Sequence, residues 1–213
     1  MPSPGAVLVA NGPIRWTREL ASLAATAKPL LAADGGANAL GRIGLRPAAV
    51  IGDLDSITPG IRAFVGEDRL LERPDQDRTD LDKALEHAFS DLGLDRLTVL
   101  GATGGRLDHA VANLGLLAAR AMADRLVFLA ADHRVVAVTG EVVLEAVVGE
   151  TWSFFAFDPA ARVRLGGVRW PLIDRPVTLV GMPSISNEAV ADRVVIRAEG
   201  GAVMAVRWFV GAP

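Results

Sequence analysis

Two aspartates, Asp53 and Asp55, stand where a short apolar run at residues 48–51 stops at Gly52, in the sequence IGDLDS. Residues two apart on an extended or turning backbone point to one side, so both carboxylates can face one site. Two anions held together are unfavourable unless a cation or a proton offsets them. A hard cation such as Mg²⁺ meets that need, because it takes few protein carboxylates, keeps several waters and shares its remaining positions with phosphates. The same residues also fit an Asx-turn that caps a following helix at Ser56 or Thr58. The rest of the chain has to separate the two readings.

Four further aspartates crowd residues 75–82, DQDRTDLD. Thr79 can cap a helix there with Asp82 three positions on, and acidic residues suit the positive end of that helix. Capping leaves Asp75 and Asp77 unexplained, and Asp80 is the favoured candidate of this group for a metal or substrate role. Residues 101–117, GATGGRLDHAVANLGLL, place glycines between a strand and a helix whose expected apolar face is Leu107, Val111, Leu114 and Ala118. Glycine lets backbone amides approach a ligand, and a helix N-terminus adds free N–H groups, so this stretch reads as a phosphate cradle. It is neither the dinucleotide fingerprint nor the P-loop pattern. Arg106 can grip phosphate or carboxylate with two N–H groups, and Asp108 and His109 follow it in the first helical turn.

The elements that must position these groups show in the hydrophobic pattern. Short apolar runs at residues 6–10, 29–33, 48–51, 69–72 and 97–100 end in Gly, Asp, Asn or Pro, as buried strands do. Between them, Trp16, Leu20, Leu23 and Ala27 keep a helical spacing, and so do Leu81, Ala84, Leu85, Ala88, Phe89 and Leu92. Alternating strands and helices make an α/β fold with a mainly parallel sheet. Every polar cluster follows a strand, so all should meet at the carboxyl edge of that sheet, where ligands of open α/β folds bind.

From about residue 126 the segments are short, closely spaced and strand-like. An antiparallel β-sandwich is expected there, giving an α/β domain at 1–139 and a β domain at 140–213. Residues 194–198 and 203–206 flank Glu199-Gly200-Gly201 and read as a hairpin. Trp152 and Trp208 are expected in the core. Trp170, between Gly166-Gly167 and Pro171, is either a core residue or an aromatic face for a flat ligand. Ser184, Ser186 and Asn187 are either loop residues or neutral hydrogen-bonding groups.

Of the 213 residues, 51 % are hydrophobic and 22 % charged, which excludes a disordered chain. No stretch offers eighteen uninterrupted apolar residues for a membrane span. The absence of cysteine removes disulfides, thiolate catalysis and cysteine-bound zinc. With no secretory signal at the N-terminus, a cytoplasmic location is expected. A net charge of −3 and no basic run with interleaved aromatics argue against nucleic acid as a partner.

Five motifs, DGGAN (34–38), GDLDS (52–56), DQDRTD (75–80), GGRLDH (104–109) and SISNE (184–188), resemble in order and spacing the motif set of thiamine pyrophosphokinases. The resemblance implies transfer of a pyrophosphoryl group from ATP to the hydroxyl of thiamine, giving thiamine diphosphate and AMP. On that footing Asp53, Asp55 and Asp80 hold Mg²⁺ and, with Arg106, form the catalytic set. ATP lies against Asn11, Asp34, Gly35, Gly36, Gln76, Thr79, Gly104, Gly105, Arg106, Asp108 and His109, with Asp34 a further candidate near the metal. Trp170, Ser184, Ser186 and Asn187 match the family's thiamine pocket. The resemblance also implies a homodimer, with the site formed between the two domains of one chain or across the dimer. Two rivals use the same residues: a metal-dependent nucleotide phosphohydrolase with water as nucleophile, and a non-enzymatic sensor of nucleotide or thiamine.

Overall fold

Apolar runs without a polar face suit strands covered on both sides, and such runs form the centre of the first sheet. The structure, a computed structural model, describes residues 5–210. These fall into two compact units, one holding the described residues up to Asn113 together with Phe128–Ala131, the other Leu114–Val127 and the described residues from Asp132.

In the first unit, β1 (Ala6–Val9) leads through α1 (Arg18–Thr26) to β2 (Leu30–Ala33), and α2 (Gly36–Arg42) leads to β3 (Ala49–Gly52). Next come α3 (Pro59–Val65), β4 (Leu70–Glu72), α4 (Asp80–Glu86), β5 (Leu97–Leu100) and α5 (Leu107–Arg120), the last divided between the units after Asn113. The strand order β5-β1-β2-β3-β4 is parallel throughout. Every residue of β1 and β2 is buried. Thr17 caps α1 by accepting from the Leu20 N–H, and Leu20 and Ala24 turn inward to the cluster of Val7, Val9 and Leu40. The capping expected at Thr79 is present, because its hydroxyl accepts from the Asp82 N–H at 3.3 Å. Leu81, Ala84 and Leu85 form the buried face of α4, which then loosens into a π-helical turn at His87–Asp91. On α5 the outcome differs from the sequence expectation: Leu107 and Val111 are exposed and Leu117 is the buried residue.

The second unit is antiparallel. After β6 (Leu126–Leu129), which is divided between the units, come β7 (His133–Glu145), β8 (Thr151–Phe155), β9 (Arg162–Gly166), β10 (Leu172–Pro176), β11 (Ser184–Glu188) and β12 (Arg193–Trp208). The long β7 and β12 pair along their length. The first half of β12 also pairs with β9, which pairs with β10, and the second half pairs with β8, which pairs with β11. Buried Val194, Ile196 and Ala198 alternate with exposed Arg193, Val195 and Arg197, the pattern of a sheet with one covered face. Trp152 and Phe154 stack with centroids 6.1 Å apart in the interior.

One expectation needs correction. Residues 194–198 and 203–206 are not a hairpin but one strand, β12, whose register shifts between Ala198 and Val203. Gly200 makes this possible: its φ of 72° is a bulge conformation, and a Cβ there would come 2.4 Å from the Ala160 carbonyl oxygen. A Glu-Gly-Gly run serves a bulge as well as a turn, so local sequence does not separate them. Residues 139 and 140, where the sequence suggests a domain division, lie within β7.

Candidate active site at the strand ends

The segments that follow β1, β2, β3, β4 and β5 line a cleft of about 420 Å³, with Asn11, Asp34, Asp53, Asp80 and Gly104 among its walls. Parallel strands put all their carboxyl ends at one edge. The chain runs outward from β1 through β2 and β3 to β4 and then returns to the other side of β1 as β5, which makes the topological switch point where such folds bind ligands.

Carboxylate oxygens of Asp34, Asp53 and Asp80 lie within 4.8 Å of one another. The Asp34 side chain is buried, and its Oδ1 has no hydrogen-bond partner. Burial pushes its carboxyl above the usual range, against hydrogen bonds from Ser56 and Gly35, and the neighbouring Asp80 adds to the rise. Asp80 Oδ1 accepts from the Asp53 N–H at 3.3 Å and lies 3.1 Å from Nζ of Lys83, whose side chain is also buried. Close packing under the group comes from Gly52, where a Cβ would stand 2.8 Å from the Asp34 Cβ and 3.0 Å from Asp80 Oδ1.

Asp55, expected beside Asp53 and Asp80, faces the same cleft but is not within this close group. Leu54 between them has φ 66°, a left-handed turn that breaks the extended alternation. Asp55 lines the cleft, with its Oδ1 accepting from the Ser56 hydroxyl at 2.9 Å. Asp34, from the end of β2, stands in its place. Asn38 secures the intervening loop: its Nδ2 donates to the Ser56 carbonyl at 2.8 Å and its Oδ1 accepts from the Thr58 N–H at 3.0 Å.

Across the cleft, Gly104, Gly105, Arg106 and His109 line the wall, and Asn113 holds the glycine loop by donating to the Ala102 carbonyl at 2.9 Å. Arg106 and Asp108 form a two-pronged pair at 3.1 and 2.6 Å, fully exposed. The Arg106 guanidinium and the His109 N–H hold the Asp108 carboxyl down at about 2. Thr79 reaches the cleft, whereas Gln76 does not line it and donates to the Pro74 carbonyl. Gly35 and Gly36 sit at the start of α2 beside Asp34, and they and Asp108 are not among the lining residues.

Known proteins share both the sequence and this architecture. The family model described as thiamin pyrophosphokinase, catalytic domain, matches residues 20–129, and that described as its vitamin B1 binding domain matches residues 141–203. The chain belongs to the thiamin pyrophosphokinase family. Thiamine pyrophosphokinase of Bacillus subtilis (strain 168) is 28 % identical over 207 residues, covering 94 % of this chain and 96 % of that one. Thiamine pyrophosphokinase 2 of Arabidopsis thaliana is 30 % identical over 195 residues, covering 76 % and 71 %. The crystal structure of thiamine pyrophosphokinase from Bacillus subtilis superposes with a TM-score of 0.81 at 26 % identity, covering 97 % of this chain and 99 % of that one. No helix among the described residues is long and apolar enough to cross a membrane.

The second unit of this thiamin pyrophosphokinase family member carries the remaining candidates. Trp170 is 56 % exposed, so its ring is not a core group, and the Arg169 guanidinium stands 5.8 Å from its centroid. Asn187 is 2 % exposed and clamps Trp170: its Oδ1 accepts from the Trp170 N–H at 3.1 Å and its Nδ2 donates to the Trp170 carbonyl at 2.8 Å. That geometry makes Asn187 a support for Trp170. Residues 184–188 are a strand, β11, with Ser186 at φ 58° and its N–H donating to the Ser153 hydroxyl at 3.1 Å. Ser186 lines an open cleft of about 500 Å³ with Ile185, Ser153 and Trp208. Trp208 is thus an exposed wall rather than the expected core residue, while Trp152 is buried as expected. The residues missed by sequence reasoning are Lys83 and Asn38. A lysine at i+3 from Asp80 was the available signal for the first; the second closes the DGGAN motif at 34–38.

Proposed function

We propose that this protein is a thiamine pyrophosphokinase that moves a pyrophosphoryl group from ATP to thiamine. The observation that carries the reading is the buried Asp34 oxygen without a partner, set among three converging carboxylates beside a glycine-rich helix start. An all-oxygen, trianionic set fits a hard divalent cation such as Mg²⁺, with Asp34, Asp53 and Asp80 to hold it. Bound there, such a cation neutralises phosphate charge and orients the triphosphate.

In this assignment the chain's own groups bind and align. N–H groups of the loop holding Gly104 and Gly105 and of the α5 start face the phosphates, and Arg106 exchanges its Asp108 pairing for phosphate oxygens. The thiamine oxygen forms a bond to the β-phosphorus as the bridge to the α-phosphorus breaks, and AMP leaves with the bridging oxygen. The hydroxyl proton passes to water or to a carboxylate. Trp170 offers an aromatic face to the cationic thiamine, and Ser184 and Ser186 offer hydroxyls. A homodimer completes the reading, supported by the exposed Leu107 and Val111 on α5.

Incubation with ATP and Mg²⁺, with and without thiamine, tests the function. Thiamine-dependent AMP is the expected product. ADP formation, or phosphate release at full rate without thiamine, would instead identify a phosphoryl transferase or a phosphohydrolase.

A further inference from the structure

In the second unit three neighbouring strands place Arg134, Arg207 and Trp152 in one row. Arg207 on β12 is directly opposite Arg134 on β7 and directly opposite Trp152 on β8. Directly paired residues of antiparallel strands share a face at close range, where like charges repel. Each of the three carries a buried N–H donor without a partner: Nε of Arg134, Nε of Arg207 and Nε1 of Trp152. Trp152 is only 1 % exposed, so its donor has no access to bulk water. Buried donors are paired in native proteins with few exceptions, and three unpaired ones around one space point to a common acceptor.

That space exists. A cavity of about 10 Å³ lies among these three side chains, with Val136, Leu144 and Ala205 as apolar walls and Glu145 at its side. It has room for one water-sized particle.

The charges do not balance without one. Glu150, buried, spends Oε1 on Arg207 Nη2 at 2.8 Å and Oε2 on the Val147 N–H at 2.8 Å. Arg207 Nη1 donates to the Glu145 carbonyl at 2.9 Å. Among the described residues no acid pairs with Arg134 Nε. Burial and the neighbouring Arg207 push its guanidinium below the usual range, and Asp124 offsets this only in part.

We infer that this cavity is a binding site for a small monovalent inorganic anion of chloride's size, held by the N–H donors of Arg134, Arg207 and Trp152. A water has two lone pairs, too few for three donors, and leaves the second guanidinium uncompensated. An anion accepts from all three and cancels that charge.

The test compares unfolding of the whole protein in sodium chloride and in sodium gluconate at matched ionic strength, since gluconate is too large for the cavity. Chloride at ten times its dissociation constant should raise the midpoint by about 3–5 °C, with a further logarithmic rise at higher concentration, and Arg134→Met should erase the difference. Crystals transferred to sodium bromide should show an anomalous peak in contact with Arg134 Nε and Trp152 Nε1. Equal midpoints in the two salts together with no bromide peak, or a water that bromide does not displace, would overturn the assignment. Should Arg134→Met fail to fold, the salt comparison and the bromide map of the unmodified protein decide it alone.

Discussion

Asp34 occupies a left-handed backbone position, φ 41°, at the end of β2, and its N–H donates to the Ile51 carbonyl. That bond ties the segments after β2 and β3 together and delivers a buried carboxylate to Asp53 and Asp80. That Asp53 and Asp80 meet was readable from acidic residues at strand and helix ends. The choice of Asp34 over Asp55 was not, because it turns on the left-handed Leu54, a conformation that leucine does not advertise. Arg106 and Asp108 bear a separate prediction. Asp108 has its carboxyl at about 2 against an ordinary 3.8, so the folded-state value is depressed. The pair therefore contributes to stability above 3.8 and loses that contribution as pH falls through about 2. Because both groups are exposed, the effect on stability is small. Replacing Arg106 by Gln should return the Asp108 carboxyl toward its ordinary value, read by carboxyl-carbon NMR titration; an unmoved titration would remove Arg106 as the cause.

At the level of elements, β3 and α4 hold the carboxylates from below. The apolar runs and the amphipathic spacing of α4 made both elements visible in the sequence, as did the Thr79 cap. The β12 bulge and the burial pattern of α5 were not visible, since both depend on what the backbone or side chain meets far away in sequence. Gly52→Ala forces a methyl group against Asp34 and Asp80. It should cost about 1–3 kcal/mol of stability, and AMP formation should fall by more than the loss of folded protein explains. Full activity in the folded fraction would show that the carboxylate spacing tolerates the shift. Lys83 is the counter-charge to Asp80, and Asp80 is partly open to solvent, so the cost of losing the pair is below that of a fully buried one. Lys83→Met should lower the unfolding temperature of the metal-free protein, and Mg²⁺ should restore more of it than it adds to the unmodified protein. An equal Mg²⁺ increment in both proteins would separate Lys83 from the cation site.

For the whole molecule, the parallel sheet explains why motifs spread over residues 34–109 converge: each leaves a different strand at the same edge. That convergence was legible from the alternation of strands and helices alone. The second unit was legible as antiparallel β structure, and its tryptophans were not sorted correctly, because Trp208 and Trp152 sit in similar strand contexts and differ only in what covers them. The cleft and its carboxylates form the reaction centre in this account. The most direct measurement is thiamine-dependent AMP release by the unmodified protein, Asp34→Asn and Asp55→Asn at saturating ATP and Mg²⁺. Robust release by the unmodified protein, a loss of more than about 100-fold in Asp34→Asn and a smaller loss in Asp55→Asn are expected. An Asp34→Asn protein that is folded and as active as Asp55→Asn would contradict that expectation.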